Sequence, residues 1–123
     1  MKPRATLAPQ ELEIMKVVWA RRSATVRDVY EELRGRRRVA YTTVMTMMNI
    51  LERKGHLKKR AEGRSFVYQP ARPKRQVVKA MVREFLDRVF GGSAEPLLMQ
   101  LVQDRRLTER DLADLARRIR KAR

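Results

Sequence analysis

Residues 40–55 read AYTTVMTMMNILERKG, and the way this stretch divides its two faces decides the fold. Val44, Met47, Met48 and Leu51 recur at the i, i+3, i+4, i+7 spacing of a helix with a single apolar stripe. At about 100° per residue, Thr42, Thr46, Asn49 and Arg53 fall on the opposite side. That side offers short hydroxyls, an amide and a guanidinium, which approach base edges and phosphates closely because no bulky group stands in the way. Gly55 sits where helices commonly end on a left-handed residue. Periodicity alone would fit any surface helix. The flanking sequence is what points to a recognition helix over about residues 40–54.

Upstream, Thr25-Val26-Arg27-Asp28 forms a capping box, and the helix it opens runs to about Arg34 with Val26, Val29, Tyr30 and Leu33 on one face. Gly35-Arg36-Arg37-Arg38 then turns the chain into the 40–54 helix. Two helices joined by a glycine-containing turn, the second with a polar outer face, follow the helix-turn-helix plan. An earlier helix starts at Pro9, where a missing N–H costs nothing, with Gln10, Glu11 and Glu13 near its positive end. Leu12, Met15, Val18 and Trp19 form its expected buried stripe, and Trp19 reads as a core anchor. Residues 1–6 read as a short basic arm, and Ser23-Ala24 as a stub that can pair with a strand.

Downstream of Gly55 the period changes from 3.6 to 2. Residues 56–61 (HLKKRA) and 65–70 (SFVYQP) are strand-like and flank a tight turn, Glu62-Gly63-Arg64. A two-stranded ribbon directly after a recognition helix is a wing, with Lys58, Lys59, Arg60 and Arg64 placed to straddle a phosphate backbone. Of Phe66 and Tyr68, at least one ring is expected to pack inward, since so thin a sheet needs an anchor.

Pro70-Ala71-Arg72-Pro73 reads as a linker, giving an expected division into a winged-helix domain at 1–72 and a helical domain at 73–123. Beyond it lie a helix from about Lys74 to Phe90 stopped by Gly91-Gly92, an apolar segment Leu97–Val102, and a last helix capped by Thr108. Three apolar-faced helices in about 50 residues hardly form a full core alone. A dimerisation module follows, with Val78, Met81, Phe85, Val89, Leu98, Leu101, Leu112 and Leu115 as the interface. The expected fold class is mainly α: a winged helix-turn-helix with a small β-wing, then a three-helix dimerisation domain.

Composition limits the partners. Thirty Lys and Arg against 14 acidic residues give a formal charge of +16, which implies a polyanionic partner, either nucleic acid or an anionic membrane surface. The excess is +10 over residues 1–72 (17 basic, 7 acidic) and +6 over 73–123 (13 basic, 7 acidic), so it is somewhat denser in the part that holds the recognition helix. A 43% hydrophobic share is too high for a disordered basic tail. With no cysteine, thiol chemistry and Cys-based metal sites are excluded; the single histidine, His56, leaves no imidazole pair for a metal or a proton relay, and no nucleophile–base pair is evident. No cofactor, metal or enzymatic activity is expected. No apolar run reaches the length of a membrane span, so the expected location is cytoplasmic, at the nucleoid.

The segments LAPQELEIMKVVW, SATVRDVYEEL, AYTTVMTMMNILERKGHL and EGRSFVYQP together resemble the penicillinase-repressor and methicillin-resistance-repressor (BlaI/MecI) family, with GGSAEPLLMQLVQDRRLTERDLADL corresponding to its C-terminal half. The resemblance implies a homodimeric repressor of transcription that binds pseudo-palindromic double-stranded DNA operators. Carried onto this chain, base-reading positions are Thr42, Thr43, Met45, Thr46 and Asn49. The phosphate-contacting set around them is Arg38, Tyr41, Arg53, Lys58 and Arg64. In members paired with a membrane sensor-protease, release comes by a cut at an Asn-Phe bond. The aligned pair here is Gln100-Leu101, a departure from that pattern. Copper-responsive relatives carry a C-terminal cysteine metal site, which this chain lacks. The alternative left by the residues themselves is a basic winged helix that binds RNA or acts architecturally.

Overall fold

Pro9 opens the first helix of a computed structural model that describes residues 7–122; the expected basic arm lies outside the described residues. The elements are α1 (Pro9–Arg21), α2 (Val26–Arg34), α3 (Tyr41–Arg53), β1 (Leu57–Glu62), β2 (Ser65–Pro70), α4 (Lys74–Phe90), α5 (Glu95–Gln103) and α6 (Glu109–Ala122). The winged helix-turn-helix expected from the sequence is present.

Local chemistry explains the boundaries. Thr25 Oγ1 accepts from the Asp28 N–H while Asp28 Oδ2 accepts from the Thr25 N–H, the reciprocal box that opens α2. At α3, Gly55 takes φ +85°; its N–H donates to Glu52 O and the His56 N–H to Leu51 O. Those two bonds are the Schellman arrangement, and they end the helix where glycine alone is unstrained. His56, expected in the strand, instead lies just before it and is buried. The hairpin closes on a two-residue loop whose first residue, Gly63, has φ +62°.

The core of the first unit joins α1, α2, α3, the wing and the start of α4. Ile14, Met15, Val17 and Val18 of α1 meet Val29 and Leu33 of α2, Val44, Met48 and Leu51 of α3, and Leu57 and Tyr68 of the hairpin. The buried face of α1 is wider than the expected Leu12–Met15–Val18–Trp19 stripe, because α1 is packed by α2, α3 and β2 at once. Leu12 and Trp19 lie at its partly buried edge, and Trp19 Nε1 donates to Arg72 O at 3.2 Å. Ala24 pairs with Tyr68 in a lone antiparallel bridge, as the stub reading anticipated.

This unit runs past the Arg72–Pro73 linker, to Met81. Val77 is 3% exposed, and Met81 packs against the same core, so the first turns of α4 complete the winged helix. The second unit, from Val82, holds the rest of α4 with α5 and α6. Thr108 and Asp111 cap α6 reciprocally. No residue of α5 or α6 is buried, while Val82, Phe85, Val89, Leu98, Met99, Leu112, Leu115 and Ile119 are all exposed. Among the described residues no helix is long and apolar enough to cross a membrane.

Candidate nucleic-acid interface

Burial of Val44, Met48 and Leu51 fixes the rotation of α3, and with it the outer face. Tyr41, Thr42, Thr43, Met45, Thr46 and Arg53 are exposed, and Asn49 is half-buried. Met45 keeps 40% of its surface accessible beside the threonines. The structure therefore brings four of the five expected base-reading residues to one open face.

Between that face and the wing lies a cleft of about 440 Å³. Its walls are Thr25, Val26 and Arg27 at the start of α2, Tyr41, Met45 and Asn49 of α3, and Lys59, Arg64, Ser65, Phe66 and Tyr68 of the hairpin. The lining holds three cations and no carboxylate. Arg27 stands 5.9 Å from the centre of the Tyr41 ring, which in turn meets Tyr30 edge-on at 5.4 Å. Its exposed ion pair with Glu31, at 3.7 Å, is worth little in water. Arg27 was not among the expected contacts. Its signal is nonetheless in the sequence: it follows the Thr25 cap by two residues, on the first turn of the helix that precedes the recognition helix.

Alternation along the hairpin sorts the wing's cations. Lys59 is paired across the ladder with Tyr68, and Ala61 with Phe66. Lys58 and Arg60, one residue out of phase, belong to the opposite face of the ribbon. Lys58, expected at phosphate, is thus absent from the cleft, whereas Lys59 and Arg64 line it. Arg60 pairs with Glu62 at 3.5 Å. Of the two rings, Tyr68 is 2% exposed and anchors the wing, while Phe66 stays 49% exposed with the Lys59 ammonium 4.8 Å from its centre. In the turn before α3, Arg36 pairs with Glu32 and Arg37 with Glu13. Among the described residues no carboxylate pairs with Arg38, Arg53 or Arg64.

Asn49 faces the wing. Its Oδ1 accepts from the Tyr68 hydroxyl at 2.9 Å and from Lys59 Nζ at 3.4 Å. An ammonium only donates, so the atom turned toward it is the carbonyl oxygen, and the NH2 group is what remains to Asn49. Burial, then the negative charge of Glu52 and the neighbouring Tyr41, push the Tyr68 phenol above its ordinary value, so it remains a donor at neutral pH.

A second polar tie supports the recognition helix from behind. Glu11 is 6% exposed; its Oε1 accepts from the Ala8 N–H and its Oε2 from Lys54 Nζ, both at 2.9 Å. Ala8 has no side-chain acceptor, so Glu11 alone caps the start of α1 while holding the end of α3. Burial opposes the Glu11 charge. The Lys54 bond, the Ala8 amide and the charges of Lys54 and His56 outweigh it, holding the carboxyl below the usual carboxylate range.

A helix-turn-helix with an open polar face, flanked by a cationic wing, defines a winged-helix nucleic-acid-binding protein. The penicillinase repressor family model matches residues 7–121, and the chain belongs to that family. It is 29% identical to the penicillinase repressor of Bacillus licheniformis over 115 residues, covering 94% of this chain and 90% of that one. Its structure is similar to the solution structure of the DNA-binding domain of the repressor BlaI, with 36% identity and a TM-score of 0.54 over 60% of this chain and 90% of the other. A monomeric BlaI from Bacillus licheniformis in complex with the blaP half-operator matches with 36% identity, a TM-score of 0.51 and the same coverage.

Proposed function

We propose that this protein is a cytoplasmic, homodimeric transcriptional repressor that binds pseudo-palindromic duplex DNA. The observation that carries the reading is the open face of α3 beside a carboxylate-free cleft lined by Arg27, Lys59 and Arg64. Each copy lays α3 in a major groove, where Thr42, Thr43, Met45 and Thr46 meet base edges. Threonine methyls contact thymine methyls, and their hydroxyls serve polar edges. Arg27, Tyr41, Lys59 and Arg64 flank the groove at phosphate, with Arg38 and Arg53 at the two ends of α3. These contacts supply the salt-dependent, sequence-independent share of affinity. The similarity to a repressor solved on a half-operator supports this placement.

Dimerisation is supported by the second unit itself. Helices α5 and α6 bury nothing, and an apolar row of Leu112, Leu115 and Ile119 runs along α6. An exposed row of that kind marks an interface. Two linked half-site contacts bind far more tightly than one, so loss of the dimer is the control point. A sensor-protease cut at Gln100–Leu101 would take α6 out of the interface. The bond lies inside α5, where Gln100 Nε2 donates to both Asp104 oxygens, at 3.3 and 3.2 Å, so α5 must unwind locally first. With no buried residue, α5 has little tertiary packing to resist unwinding.

Selection of bound fragments from a random duplex pool at near-physiological salt tests the reading. An inverted repeat with half-sites about one helical turn apart is expected. Recovery of no motif, together with tighter binding to structured RNA than to duplex DNA, would replace it with the RNA-binding alternative.

A further inference from the structure

We infer that Asn49, Tyr68 and Lys59 form a latch that fixes the angle of the wing against the recognition helix, making Asn49 and Tyr68 positioning residues for DNA binding rather than readers of bases. This rests on the DNA-binding reading above.

The geometry is that of a three-way joint. Lys59 and Tyr68 are partners across the β1–β2 ladder, on the ribbon face that turns toward α3. Both donate to the same acceptor, Asn49 Oδ1. The main chain of Tyr68 is held as well: its N–H donates to Ala24 O at 2.8 Å, and its carbonyl accepts from the Ala24 N–H at 2.9 Å. One residue therefore joins the wing to the α1–α2 connection and to α3. Lys59 is fixed from its other side by the Phe66 ring. Its charge lines the cleft.

The wing needs such a tie. Beyond the Lys59–Tyr68 pair it continues as three residue pairs, Arg60–Val67, Ala61–Phe66 and Glu62–Ser65, with Arg64 in the turn. A lone two-stranded ribbon is marginal in water. At about 3.3 Å per residue, the tip stands about 10 Å from the joint. A tilt of about 10° there moves Arg64 by about 2 Å, more than a directed contact with phosphate tolerates. Asn49 Oδ1 is the acceptor for both side-chain donors that tie the wing to α3, so it is not available to a base edge. Adenine recognition by asparagine uses oxygen and nitrogen together, and this arrangement removes the oxygen.

The test uses the intact chain, with Asn49→Ala, Tyr68→Phe, the double variant and Asn49→Asp. Tyr68→Phe keeps the ring in the core. Asn49→Asp keeps an acceptor for both donors but has no NH2. Backbone 15N relaxation of residues 62–65 in the DNA-free protein should show a more mobile wing tip in Asn49→Ala and Tyr68→Phe, and an ordered tip in Asn49→Asp. On the duplex selected by the wild type, each single loss should weaken binding about 3–10-fold without changing the selected motif. The double variant should be no weaker than the weaker single. An unchanged wing tip in both single variants would overturn the latch. So would an Asn49→Ala protein that loses preference at one motif position, with effects that multiply in the double variant, because that is the signature of a base reader. A wild type that selects no motif would refute the DNA reading instead, and the relaxation comparison would still decide the latch.

Discussion

Replacing Glu11 with Gln should loosen the scaffold that carries the recognition helix, and the loss should vanish in acid. Glu11 makes two charge-assisted bonds of 2.9 Å, to the Ala8 N–H and to Lys54 Nζ. Glutamine keeps an acceptor for Ala8 but turns an NH2 donor toward an ammonium. Hydrogen bonds to a charged group contribute about 1.5–3 kcal/mol, against about 1 for a neutral pair. The Lys54 side chain is 52% exposed, so its share is screened and it can swing into water. The sum is a destabilisation of about 1–2 kcal/mol. For a cooperative unit of this size that is a Tm lower by roughly 5–10 °C. The Glu11 carboxyl lies below its ordinary value in the folded state. Its contribution is therefore fully present above the unfolded-state pKa of about 4.3 and is lost as pH falls through the lower folded value. Thermal unfolding followed by circular dichroism, at fixed protein concentration from pH 8 to pH 3, should show a constant gap down to about pH 5 that closes below about pH 4. Equal stability at pH 7, or a gap of full size at pH 3, would refute the clamp.

Other expectations follow from the same geometry. Thr46→Ala should weaken binding to the selected duplex by about 1–3 kcal/mol and leave binding to scrambled duplex nearly unchanged; equal losses in a fluorescence titration on both would remove Thr46 from the base readers. Arg64→Gln should lower the salt slope by about 0.9 per copy, so that a dimer loses about tenfold less affinity between 50 and 200 mM salt than the wild type does; an unchanged slope would place the wing tip away from phosphate. Leu115→Glu puts a charge into the exposed apolar row of α6 and should give monomers in sedimentation equilibrium; a wild type that is itself monomeric at micromolar concentration would contradict the interface.

Local signals carried most of the fold. The threonine caps of α2 and α6, the glycine behind α3 and the switch of period after it are each set by residues a few positions apart, and the expected span of α4, Lys74 to Phe90, is the observed one. What escaped depends on distant partners. Ile14 and Val17 are buried because α1 is covered from two sides, whereas a helical period reports only one. Val77 belongs to the winged-helix core although it follows a proline-bounded linker, since the chain folds back before α4 has completed two turns. Asn49 read as part of the polar outer face; its oxygen is claimed by a hydroxyl 19 residues away, which no window around α3 contains. Lys58 and Lys59 are equivalent as charges, and only strand register separates them.

The most direct test of the account is to map amide shifts on the 15N-labelled chain as the selected duplex is added. Perturbations should concentrate at Thr25–Arg27, along Tyr41–Asn49, and at Gly63–Phe66, the three segments that frame the cleft. Shifts confined to the basic end of α6, or an absence of change along Tyr41–Thr46, would contradict a recognition helix in the major groove.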